Sequence, residues 1–289
     1  MGDAAHAESL EHEVYSRPFK VEPEFEFRQT PTNYRGFPDG DKLPDKMKVW
    51  LVQDTGKNYG GVVARSHGFT DSPDAEILAL GFNRGKEYGA VGVGRHGNIL
   101  QWGYSAPPSK MTQAGKNFFL NCICYVHRFD GKAPLVRRSS SHRMNAIRLA
   151  ALIDRIKDES FFSSTFSPDL KKKYEGDPNG LVQYYRDDFE LIYRDRTFQI
   201  DNELKSLGIN SNRSIDTLER LISLLKDDTH ADTARLLLAR YMNQSFESPA
   251  QWQSWLEANR DRIFFSDVGD YKFLVAPEGY LDKKEPVAF

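Results

Sequence analysis

Within four residues the chain sets a guanidinium, an imidazole and a carboxamide, Arg95, His96 and Asn98, and an indole follows at Trp102. A guanidinium fork and neighbouring N–H donors suit a carboxylate, a phosphate or a cluster of sugar hydroxyls, and an indole face suits a sugar ring. The same residues would also serve a plainer purpose. Arg95 and Asn98 can satisfy a turn and a neighbouring carboxylate while Trp102 fills a core, and this plainer reading is preferred.

Other groups invite chemistry less strongly. His67, Asp71 and Asp74 share one loop and offer a hard or borderline metal set, but one imidazole without a second ligand pair of fixed spacing reads as turn and cap chemistry, so no metal is expected. Gly92-x-Gly94-x-x-Gly97 matches the glycine spacing of a dinucleotide fingerprint, yet Ile99 to Trp102 reads as extended, so no helix N-terminus is there for a phosphate. No cofactor is expected. Cys122 and Cys124, two residues apart in one apolar helical run, project in different directions and read as small core residues rather than a disulfide or a nucleophile. Arg137, Arg138, His142 and Arg143 read as a solvated basic connector, as does the run Lys171-Lys172-Lys173.

The elements that would position these groups follow from periodicity. Residues 1 to 46, rich in Pro, Glu, Asp and Gly, read as an extended segment wrapping a domain, with short extended pieces at Val14-Tyr15 and at residues 25 to 27. Residues 47 to 52, 61 to 64 and 75 to 80 read as strands. Two further extended arms flank a polar turn at Gly97-Asn98. After Pro107-Pro108, with Ser109 or Thr112 as cap, apolar residues from Met111 to Phe129 recur at helical spacing until Asp130-Gly131. Residues 134 to 142 form a linker between an α/β unit at 47 to 133 and a mainly helical domain at 143 to 289. Helices are expected at 144 to 157, 216 to 226 and 233 to 242, and from Ser248-Pro249 onward, where Trp252, Trp255 and Leu256 form a core stripe. A hairpin closes the pattern around Asp267-Val268-Gly269-Asp270.

The runs Asp74-Ala75-Glu76-Ile77, Gly89 through Asn98, Trp102-Gly103, Met111-Thr112 and Phe119-Leu120-Asn121 to Tyr125 together resemble the closing part of bacterial proteins in the trehalose-utilisation-like branch of the class I glutamine amidotransferase-like superfamily. Arg240 to Phe246, with Trp252, Trp255 and Asn259-Arg260, is similar to the helical repeat-like tails of some exported members. The resemblance implies a reduced flavodoxin-like sheet, an α/β or α+β fold, an exported or periplasmic setting and a link to carbohydrate. It does not bring the nucleophile: no Gly-x-Cys-x-Gly elbow occurs and both cysteines lie within a helix, which argues against amidotransferase chemistry.

Charge narrows the partners. With 39 basic and 41 acidic side chains the formal net charge is -2, so the chain carries no excess of the kind that draws nucleic acid. No apolar run reaches the length of a bilayer span, and the N-terminus lacks the basic and apolar regions of a secretory signal, although Ala5-His6-Ala7 has the small-x-small look of a cleavage site. The residues lead to a non-enzymatic binding or interaction module with Arg95, His96, Asn98 and Trp102 as the candidate site for a small anionic or sugar ligand, and the resemblance alone implies that it belongs to an exported bacterial system and is carbohydrate-related. A hydrolase or sugar-modifying enzyme with His96 as base and Arg95 as anion clamp is the first alternative. The second is a scaffold that meets a protein partner through an apolar patch on residues 214 to 260.

Overall fold

The first strand, β1 (Ala4–His6), comes from the segment that composition marks as a tail. Its residues are buried, and it pairs antiparallel with β3 (Lys46–Leu51), whose other side carries β2 (Phe25–Gln29). The N-terminal residues are thus structural: Ala4 and Ala5 are small enough to let β1 lie against the rest of the core. Val14-Tyr15, expected to be extended, belongs to a 3-10 turn (Glu13–Tyr15) capped by His12, and both side chains are buried. This computed structural model describes residues 1 to 8, 10 to 56, 61 to 155 and 159 to 281.

A short helix, α1 (His67–Thr70), precedes a second antiparallel sheet of β4 (Ala75–Leu80), β5 (Val91–His96) and β6 (Ile99–Trp102). Gly97 opens the two-residue β5–β6 turn at φ 55°, as a II′ turn requires. The strand expected at 61 to 64 is reduced to isolated bridges, Gly61 to Tyr104 and Ala64 to Val91. Helix α2 (Gln113–His127) then packs over both sheets. Thr112 caps it by accepting from Gly115 N, and the Thr112 hydroxyl donates to Leu51 O at 2.8 Å, which ties the helix start to β3. Trp50, Val52, Val93, Phe118 and Cys122 meet in the core beneath it.

Every pairing between named strands is antiparallel. A flavodoxin-like sheet is parallel, with helices crossing between its strands. The architecture is mixed α/β with small antiparallel sheets, divided into two compact units at Leu135 and Val136.

The second unit runs through α3 (Met144–Ala150), α4 (Glu159–Ser163), α5 (Pro168–Lys173) and α6 (Pro178–Asp187) to a small hairpin of β7 (Ile192–Arg194) and β8 (Phe198–Ile200). It continues with α7 (Asn202–Ser206), α8 (Ile215–Leu224), α9 (Ala231–Tyr241) and α10 (Pro249–Asn259), and it ends in the hairpin of β9 (Ile263–Ser266) and β10 (Lys272–Val275). The helix expected at 144 to 157 stops early because Leu152 N turns to Leu149 O; a 3-10 turn follows at Ile153–Arg155, and the last two residues of the expected helix lie outside the described residues. Ser248 and Gln251 form a full capping box at α10, and Trp252 and Leu256 are buried, so the aromatic stripe is core.

Arg143, expected on a solvated connector, is instead completely buried in this unit. Its Nε and Nη2 donate to Asp267 at 2.8 and 2.7 Å, Nη2 donates to Asn212 Oδ1 at 2.9 Å, and Nη1 donates to Phe189 O at 3.1 Å. The backbone N of Arg143 also donates to Asp267, and His142, likewise buried, places Nε2 3.4 Å from the same carboxylate. Asp267 stays well on the charged side of its ordinary range: burial opposes this, but Arg143 and His142 outweigh it. Sequence reading missed the pair because the partners stand 124 residues apart.

Candidate functional site

Arg95 and His96 leave β5 on opposite faces, as adjacent residues of a strand must. Arg95 faces α2. It is 3% exposed, its Cζ lies 3.6 Å from the centre of the Phe129 ring, and Nη2 donates to Glu76 Oε1 at 2.8 Å across the β4–β5 pair. Nη1 donates to Gly97 O at 2.7 Å. Tyr125 donates to Glu76 Oε2 at 2.6 Å, and His12 Nε2 lies 3.7 Å from that oxygen. Burial pushes the Glu76 carboxyl upward, but His12, Arg95 and Tyr125 together hold it down at about 2. The guanidinium expected to clamp an anion is already spent on a carboxylate of its own chain.

His96 turns Nε2 to within 3.3 Å of Asp74 Oδ1. Asp74 is buried, accepting from the Ser72 hydroxyl at 2.5 Å and from Leu135 N at 3.0 Å. Burial again works against the charge, and His96, Ser72 and Leu135 overcome it, leaving the carboxyl at about 2. The imidazole thus stands at ion-pair distance from an ionised carboxylate, with Nε2 buried and making no well-aligned hydrogen bond among the described residues. Ser72 is on the wrong side of it to be a nucleophile, since its hydroxyl donates to the carboxylate rather than to the ring.

Asn98 is exposed at the turn, where its backbone N donates to Lys132 O at 2.7 Å. Trp102 packs against Phe119 and Phe118 at 4.7 and 5.6 Å between ring centres and so lies against the core rather than open to a ligand. Arg95 and Trp102 therefore share the α2 side of the sheet, with Arg95 opposite Leu100 and Trp102 opposite Val93. The loop trio also separates: His67 lies 3.8 Å from Glu87 while Asp74 serves His96.

No family model, curated protein or solved structure matches the chain. The site must be read from its geometry.

A cleft of about 410 Å³ opens in the N-terminal unit beside the β1-β3-β2 sheet, lined among others by Asp3, Arg28, Leu51, Asp54, Phe82 and Arg84. Asp3 is buried and accepts from Gln53 Nε2 at 2.7 Å and Thr55 N at 2.9 Å, so it is a fixed wall. Arg28 is tied to Glu26 at 2.6 Å. By contrast, the exposed side chains of Asp54 and Arg84 have no hydrogen-bond or ion-pair partner among the described residues. Leu51 and Phe82 add apolar surface. Two arginines and two aspartates balance in formal charge across the lining.

Sequence reading did not find this cleft. Its residues come from the segment just before β1, from β2, from the end of β3 and the segment after it, and from the loop after β4, and no motif joins them. The one available signal was the alternation at Phe25 to Arg28, which marks a strand rather than a tail.

Proposed function

We propose that the N-terminal unit is a binding module for a neutral, polyhydroxylated small molecule of the carbohydrate class, seated in the Asp54–Arg84 cleft. The observation that carries this reading is a pair of uncommitted groups of opposite charge above apolar surface. A carboxylate accepts from sugar hydroxyls, a guanidinium donates to them, and the Leu51 and Phe82 surface takes the C–H face of a ring. A charge-balanced lining favours a neutral ligand over an anion. The resemblance at residues 74 to 130 supports the same ligand class and an exported setting, although the antiparallel β4-β5-β6 sheet does not have the parallel order of the flavodoxin-like fold that the resemblance implies.

The test is calorimetric titration of neutral mono- and disaccharides and sugar acids into the wild type, Arg84→Met and Asp54→Asn. A neutral sugar that binds the wild type and is weakened by both substitutions supports the reading. Binding that ignores both substitutions, or no heat from any compound, rejects it.

A second reading rests on His96, whose Nε2 lies 3.3 Å from ionised Asp74, an imidazole–carboxylate juxtaposition of the kind a general base uses. It is tested by hydrolysis of nitrophenyl glycosides and esters. Turnover that is lost in His96→Gln and kept in Arg84→Met would favour it.

The scaffold reading has less support. Within residues 214 to 260, among the described residues, a single large apolar side chain, Leu236, is exposed.

A further inference from the structure

The outer edge of β2 is open. β2 pairs with β3 from Phe25 opposite Trp50 to Gln29 opposite Lys46, and in the order β1-β3-β2 no described strand covers its other side. Thr30 N donates to Asp45 O at 2.9 Å, which sets the alternation along the strand. Glu26 and Arg28 turn their backbone groups inward to β3. Phe25, Phe27 and Gln29 turn theirs outward. The side chains alternate too: Phe25 and Phe27, exposed by 43% and 67%, share one face, and Glu26 and Arg28, joined at 2.6 Å, share the other.

An open edge with two exposed phenylalanines invites another strand, and edges are normally protected by charge. Here the two charges have opposite signs and stand one on each side of Phe27. That arrangement is self-complementary. We infer that β2 is the interface of a symmetric homodimer, in which β2 of one copy pairs antiparallel with β2 of a second about a two-fold axis at Phe27.

In that register Phe27 of each copy exchanges N–H and C=O bonds with the other, and Phe25 and Gln29 do the same across the axis, so every outward backbone group of these residues is satisfied. Glu26 of each copy falls opposite Arg28 of the other. These are the pairs without backbone bonds, where Cα atoms approach to about 4.5 Å and side chains meet most closely. The existing Glu26–Arg28 contact is extended into a ring of four alternating charges rather than broken. On the opposite face Phe27 packs against its own copy.

The charges also reject the neighbouring registers. An axis at Glu26 or at Arg28 sets like charges opposite each other, and an axis at Phe25 sets Glu26 against Glu24. The interface is isologous and closes at two copies, joining two three-stranded sheets into one of six.

Sedimentation equilibrium of the full chain over a dilution series tests this. The wild type should weigh twice a single chain. Glu26→Arg and Arg28→Glu should each halve that mass with unchanged circular dichroism, because each sets like charges across the axis. Mixed in equal amounts, the two variants should regain the doubled mass, since opposite charges again face each other. Phe27→Lys gives an independent loss of the dimer, since residue 27 stands on the two-fold axis and two lysines would face each other there. A wild type that sediments as a single chain overturns the inference, as does a dimer that survives both reversals or a mixture that stays monomeric.

Discussion

Arg143 and Asp267 form a fully buried ion pair, bonded through Nε and Nη2 to both carboxylate oxygens, and the aromatic rings of Phe189, Phe265 and Tyr271 surround the guanidinium at 5.7, 5.7 and 5.8 Å. Removing one member leaves the other charged without its partner in a site that water does not reach. Arg143→Met should therefore cost about 3–5 kcal/mol of unfolding free energy in urea, far more than a surface ion pair. Arg143→Met combined with Asp267→Leu should recover part of that loss. A single-variant loss below about 1 kcal/mol would contradict the arrangement.

His6 gives the protein an acid-sensitive point. Its Nε2 lies 3.2 Å from the Tyr34 hydroxyl, which already accepts from Asn83 N and Nδ2, so the hydroxyl proton is directed to His6 and the ring is neutral. Nδ1 is buried without a partner, and burial lowers the pKa to about 4. The unfolded chain, at about 6.5, binds a proton more readily than the native one. The contribution is thus fully present above pH 6.5 and is lost as pH falls through about 4, by up to about 3 kcal/mol. His6→Phe should flatten the stability profile in that window in denaturant titrations.

Glu76 separates structure from binding. Glu76→Gln leaves Arg95 buried without its counter-charge and should destabilise by about 2–4 kcal/mol, while leaving sugar affinity in the Asp54–Arg84 cleft unchanged. With Glu76 and Asp74 both lowered to about 2, their contributions are present above about pH 4.5 and fade as pH falls towards 2. Glu76→Gln should remove part of that acid sensitivity.

In the cleft, Arg84→Met and Asp54→Asn should each weaken sugar binding about tenfold, the worth of about 1.4 kcal/mol of hydrogen bonding. Because both side chains are exposed and without partners, neither change should move the unfolding midpoint. A loss of affinity accompanied by a loss of stability would mean that these residues support the fold instead.

Gly115 opposes helix propensity to packing. Alanine in the first turn of α2 should gain about 1 kcal/mol by propensity, but its Cβ would fall 1.8 Å from Val52 O. The obstacle is backbone and cannot swing away. The clash wins, and Gly115→Ala should destabilise by about 2 kcal/mol or more in the same denaturation assay.

Local patterning by itself determined a good deal of this chain. The apolar recurrence from Met111 to Phe129, the turn at Gly97-Asn98, the Ser248-Pro249 start of α10 and the final hairpin are all short-range features, and each appears near where its period and end signals place it, with Thr112 rather than Ser109 as the cap of α2. Strand period likewise made Arg95 and His96 diverge, although their adjacency in sequence suggested one site.

Only the tertiary structure decided what those side chains meet. Burial beside Glu76 turned Arg95 from a ligand clamp into a structural cation, and burial beside Asp267 did the same for Arg143 on what looked like a solvated connector. The N-terminal segment became a strand because β3 offered it hydrogen bonds and a buried face, a gain that its own composition does not express. The cleft also needed the fold, since Asp54 and Arg84 share no motif. Periodicity fixes the direction of a side chain from its own element, whereas charge pairing and concavity depend on residues brought together from far along the chain.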